Sequence, residues 1–146
     1  RGIKLNRNTG IVSVQDEFVP SIDNSTVYWI MHSPATDGLV ISTDGKIATM
    51  IKNGKTYYAV IKSPSNAVFE KVDRSTSQVN YLSETASIFS NMMSGKNSIN
   101  QWYGKLQIKL TGLVKAAPVT IRVDFVKNNL AVTPPLVNLT SWSTIN

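Results

Sequence analysis

The sequence predicts an all-β protein, an antiparallel β-sandwich of stacked sheets interrupted by one long irregular insertion. Three observations carry this. Ser, Thr and Asn supply 42 of the 146 residues, and these side chains compete with helical hydrogen bonding while suiting turns and sheet faces. Two Asx-Gly pairs, Asp44-Gly45 and Asn53-Gly54, stand close together between apolar runs, the strongest short-range signal for β-hairpins. Several segments alternate apolar and polar residues with period two. A closed barrel is the alternative architecture.

Taken in order, Ile11-Val12-Ser13-Val14 alternates weakly and ends at Asp16-Glu17. Val27-Tyr28-Trp29-Ile30-Met31 is apolar on both alternating faces, which predicts a strand buried on two sides, with Trp29 in the core. Leu39–Ser42, Ile47–Ile51 and Thr56–Lys62, joined by the two Asx-Gly pairs, form a three-stranded meander over residues 38–62. Ser63-Pro64-Ser65 ends it, because proline cannot donate to a ladder. Ala67–Val72 is one more short strand.

Residues 74–104 change character. Polar loops surround Ser83–Ser90, which fits either a helical turn or an irregular strand, and Trp102-Tyr103-Gly104 closes the segment. An insertion of this length inside a compact domain is often functional, or else mobile. Regular β structure then returns. Leu106, Ile108 and Leu110 alternate with Lys105, Gln107 and Lys109, predicting one buried and one wet face. Val119, Ile121, Val123 and Phe125 then face one way, and Thr120, Arg122 and Asp124 the other. The domain is expected to span residues 1–132, with 133–146 a C-terminal tail that forms an edge strand or a crossing segment.

Composition narrows the chemistry. With no Cys and one His, a disulfide scaffold, a Cys-ligated metal, a thiol nucleophile and a site needing two histidines are excluded within these residues. No apolar run reaches 18 residues, which excludes a membrane-spanning helix. The net charge is +6, mostly from 11 Lys spread along the chain. A diffuse positive field favours acidic partners, and the lack of a basic block argues against a nucleic-acid tail. The same lysines also fit the plainer role of keeping a sheet surface soluble. The absence of Cys suits a periplasm or cell surface and is compatible with cytosol. The chain opens on Arg1 without a signal peptide, the expected appearance of a piece of a longer protein.

No nucleophile elbow, zinc-protease helix, phosphate loop or dinucleotide fingerprint occurs, so no catalytic residue, metal ligand or cofactor is assigned. Asp37 and Asp44 each precede Gly and read as turn residues. The remaining candidates are contacts to a glycan. His32, at the end of the Val27–Met31 strand, is either a substrate contact or a structural His bonded to backbone. Trp102 and Tyr103 offer flat faces for sugar rings. Arg74, in the same insertion, would pair with a carboxylate or sulfate or is ordinary surface charge. Trp142, Tyr57 and Tyr58 are further large aromatics that could offer such a face.

Several of these segments together resemble the C-terminal β-sheet region of heparinase II/III-like polysaccharide lyases. They are Arg1–Leu5 with Gly10–Phe18, Val27–Ser33, Asp44–Ala48, Tyr57–Pro64 with Phe69, and the closing pair Leu106–Leu110 and Val119–Phe125. The resemblance covers roughly residues 1–127 and rests on strand patterns, not catalytic signatures. It implies a many-stranded sandwich packed against an N-terminal helical catalytic domain of the same parent chain, in a bacterial periplasmic or extracellular enzyme that cleaves uronic-acid polysaccharide by β-elimination. The catalytic Asn, His and Tyr of that family lie largely on the helical part, which these residues do not include. Zinc is held in the β region of some members by His and Asp, whereas this sequence offers His32 alone. The expected role is therefore to brace the catalytic domain and line the substrate cleft, with His32, Arg74, Trp102 and Tyr103 touching acidic polysaccharide. A free-standing carbohydrate-binding or adhesin-like surface domain is the second reading, and a purely structural β domain the third.

Overall fold

The computed structural model describes residues 1–33, 38–52, 54–72, 104–127 and 135–142. The described residues form strands β1 (Gly2–Asn6), β2 (Ile11–Phe18), β3 (Ser25–Ser33), β4 (Leu39–Ile41), β5 (Ile47–Lys52), β6 (Lys55–Ser63), β7 (Phe69–Val72), β8 (Gly104–Leu113) and β9 (Val119–Lys127), followed by one 3-10 turn, Leu139–Ser141. They make two antiparallel sheets, a six-stranded one in the order β1-β2-β9-β6-β5-β4 and a three-stranded one in the order β3-β8-β7.

Period-two alternation explains how the sheets meet. Leu106, Ile108 and Leu110 of β8, Trp29 of β3 and Phe69 of β7 point from the small sheet into one apolar cluster. Leu39, Ala48, Ala59, Ile61, Ile121 and Val123 point into it from the large sheet. Trp29 meets Phe69 at 6.4 Å between ring centroids, tilted by 54°. Ala48 and Ala59, directly paired and fully buried, keep the large sheet's inner surface low where the bulkier small-sheet side chains seat.

The meander over residues 38–62 is β4-β5-β6, as its two Asx-Gly pairs predict. The first turn also ties the sheets together. Asp44 Oδ1 accepts from Ser42 Oγ (2.6 Å) and from the Lys46 backbone N–H (3.0 Å). Gly45, at φ +71°, gives its carbonyl to the Phe69 N–H at 2.8 Å. Lys46 Nζ donates to the carbonyls of Ser65 and Ala67. One five-residue turn in the large sheet thus holds the entry to β7 in the small one.

Three expectations need correction. The Val27–Met31 strand is not buried on two sides: β3 is an edge strand, and Tyr28 is 50% exposed while Trp29 is 4% exposed. An apolar residue on the second face signalled a wet aromatic, not a second layer. The segments read as a closing pair do not pair with each other, since β8 lies between β3 and β7 and β9 between β2 and β6. β2 also continues through Asp16-Glu17 to Phe18, because both carboxylates find partners. Arg1 donates to Asp16 through Nε and Nη2 at 2.8 and 2.9 Å, a bond that holds the guanidinium pKa above its ordinary value. Glu17 Oε1 accepts from Gln15 Nε2 and from the Leu139 N–H.

Residues 135–142 take no place in either sheet. They cross the outer face of the large sheet from β9 over β2 to β1. Arg122 Nη1 donates to Pro135 O (2.7 Å), Gln15 Nε2 to Val137 O (2.8 Å), and the Leu139 N–H to Glu17 (2.7 Å). A Cβ at Gly2 would run into Leu139, and Trp142 lies against the same glycine with Lys4 Nζ 5.8 Å from its ring centroid.

Two outcomes follow from the Asp44-Gly45 turn. At Gly45 a Cβ would lie 2.8 Å from Val68 Cβ in a left-handed backbone, so Gly45→Ala is expected to cost ~1–3 kcal/mol in denaturant unfolding. Bonds from Ser42 and then Lys46 hold the exposed Asp44 carboxyl below its usual pKa. Its contribution to stability is therefore present above the ordinary carboxylate range and lost as pH falls through the lowered value. Melting temperatures from pH 7 to pH 2 are expected to converge for wild type and Asp44→Asn at the acid end.

Candidate functional site

Alternation in the small sheet fixes what its outer face presents. With Leu106, Ile108 and Leu110 buried, Lys105, Gln107 and Lys109 must face outward. With Trp29 buried, Tyr28 and Ile30 do the same. The register puts Tyr28 opposite Lys109 and Ile30 opposite Gln107, and Glu70 of β7 opposite Gln107 on the other side. Lys109 Nζ stands 5.9 Å from the Tyr28 ring centroid. Gln107 Nε2 donates to Glu70 Oε2 at 2.7 Å. The face therefore offers a half-exposed aromatic ring with an ammonium over it, and an amide–carboxylate pair that joins β8 to β7. A ring and cation so placed suit a stacked sugar that carries an acidic group.

Lys109 is also one wall of a groove of about 500 Å3 at one end of the sandwich, shared with Asn66, Thr111 and Leu136. A second hollow of about 280 Å3 adjoins it through Pro118, Val119 and Thr120 and reaches Glu17 and Asn138. Both are open; the first mixes hydroxyl and amide groups with Leu110, Leu113 and Leu136, and the second is mostly apolar, with Phe18, Val19, Pro118 and Val119. Among the described residues, no three of His, Cys, Asp and Glu come together as a metal site, and no helix is long and apolar enough to cross a membrane.

Of the residues nominated from sequence, the His32 backbone pairs with Lys105 in the β3–β8 ladder, while its side chain lies outside the described residues. Arg74, Trp102 and Tyr103 also lie outside them. The strand ends nearest to these residues in sequence do converge: Ser33 pairs with Gly104, and Val72 with Lys105.

No family model matches the chain, and no curated protein matches it. The site therefore stands on its own geometry.

Sequence reasoning missed Tyr28 and Lys109 as a unit. Tyr28 was hidden inside an apolar run, and Lys109 looked like any lysine on a wet strand face. The available signal was their coincidence: a tyrosine next to a core tryptophan, and a lysine alternating with buried leucines, each on a strand with one wet face. Of the other aromatics, Tyr57 is partly exposed on the side of its strand that carries Ala59, and Trp142 is half-buried on β1.

Proposed function

We propose that this chain is an accessory β-sandwich that contacts acidic polysaccharide, in a bacterial periplasmic or extracellular lyase of the heparinase II/III-like kind. The observation that carries the reading is the Tyr28–Lys109 pair on the exposed face of a rigid antiparallel sheet. A tyrosine ring stacks on the apolar face of a pyranose once the Lys109 ammonium swings off it, and that ammonium then meets a carboxylate or sulfate. The face is supported from behind by Trp29 and Ile108, both in the core, so it is presented with little conformational freedom to lose on binding. Support for a lyase parent is the run of strand segments that resembles that family's β region, and in that setting the sandwich braces a helical catalytic domain and forms one wall of its cleft. The same Tyr28–Lys109 pair also favours a free-standing carbohydrate-binding domain.

Calorimetric titration with heparin, heparan sulfate and alginate oligosaccharides, against a neutral glucan control, tests the glycan contact. Binding to the acidic glycans is expected. Tyr28→Ala should weaken it about tenfold, equivalent to ~1.4 kcal/mol, and Lys109→Ala should weaken it and flatten its salt dependence. Absence of binding, or binding unchanged by Tyr28→Ala, would overturn the reading. Incubation with the same glycans should give no rise in the ultraviolet absorbance of an unsaturated elimination product. Turnover by this chain alone would refute an accessory role.

A further inference from the structure

The outer face of β2 and β9 has the properties of a peptide-binding site. Ser13, Gln15, Arg122 and Asp124 are at most 4% exposed there, an unusual set to bury on the side of a sheet facing away from the apolar core. Their contacts to the segment crossing them go to its main chain. Arg122 and Gln15 donate to the carbonyls of Pro135 and Val137, two residues apart, and Glu17 accepts the N–H of Leu139. Alternate carbonyls on one side are what an extended chain presents. Pro135, Leu136, Val137 and Asn138 are exposed, while Leu139 and Trp142 are half-buried and lie against Gly2 of β1. One acceptor in the site, Gln15 Oε1, is buried and has no partner among the described residues.

We infer that this face is a receptor for an extended peptide, held through its backbone and by the side chains that seat on β1, and that its occupant in trans is the 135–142 segment of a second copy of this chain. Three features favour that occupant. The segment is already seated there in cis, so its complementarity is given. Seven residues separate Lys127 from Pro135, a connection reaching up to ~24 Å when extended, long enough for the segment to leave one copy for another. An exchange of identical segments is isologous, so it closes as a symmetric pair. The site goes beyond the glycan face, which lies on the other sheet.

The probe is a fluorescein-labelled peptide of residues 133–146, titrated against the full chain by anisotropy. In the wild-type chain the tethered segment competes at high effective concentration. Leu139→Pro removes the N–H that Glu17 accepts and weakens the chain's own segment. The peptide is expected to bind the Leu139→Pro chain at least ten times more tightly than the wild-type chain, and a peptide carrying the same substitution should bind at least ten times more weakly. No saturable binding, or equal binding of the two peptides, would overturn the inference. If circular dichroism shows that the Leu139→Pro chain has lost its strands, wild-type chains labelled separately with donor and acceptor dyes decide the matter. Energy transfer growing with concentration after mild warming supports exchange, and none at any concentration refutes it.

Discussion

The arrangement depends most on one buried ion pair. Arg122 and Asp124 sit two residues apart on β9, with side chains 2% and 0% exposed, joined by Nε–Oδ1 at 2.8 Å and Nη2–Oδ2 at 3.1 Å. Moving two such charges out of water costs several kcal/mol per ion, which their attraction offsets only when the geometry is close and the remaining donors are met. Here Nη2 also donates to Ser13 Oγ on β2, at 3.2 Å, and Nη1 to the carbonyl of Pro135. The pair therefore does more than neutralise itself. It joins the central strand of the large sheet to β2 and gives the crossing segment a fixed attachment point. Its value lies in specifying one arrangement, since an apolar pair of equal volume could be as stable.

That constraint accounts for the contrast between the molecule's two outer surfaces. On the large sheet, buried Arg122 and Gln15 lie beneath a crossing segment whose carbonyls accept from them. On the small sheet, Tyr28, Gln107 and Lys109 are left to solvent with no such cover among the described residues. Among the described residues that face is exposed and stands beside an open groove, the setting of the glycan contact proposed above. The covered face is the kind that meets a polypeptide.

Much of the fold was legible because its signals are local. Asp44-Gly45 and Asn53-Gly54 dictated the meander, and Leu106, Ile108 and Leu110 declared which side of β8 is buried. Alternation says which residues share a face, however, and not what lies above that face. For that reason the cover over Arg122 and Asp124 was not legible: it arrives from 13 residues further along the chain and meets Arg122 through the Pro135 carbonyl, and backbone atoms carry no sequence signature. β3 was misjudged in the opposite sense, because Tyr28 and Ile30 looked apolar enough to demand a second layer. The candidate site was the least legible part. Its two principal residues are 81 positions apart and meet only through the β3–β8 register, while three of the four nominated from sequence lie outside the described residues and the fourth, His32, is described only in its backbone.

The most direct measurement is a double-mutant cycle on Arg122→Met and Asp124→Leu, read by denaturant unfolding. Each single substitution is expected to lose ~3–5 kcal/mol, because it strands the partner's charge in the interior. The double variant should lose less than the two together by well over ~1 kcal/mol, the signature of direct coupling. Losses that add to within ~0.5 kcal/mol, or single variants as stable as wild type, would contradict the account.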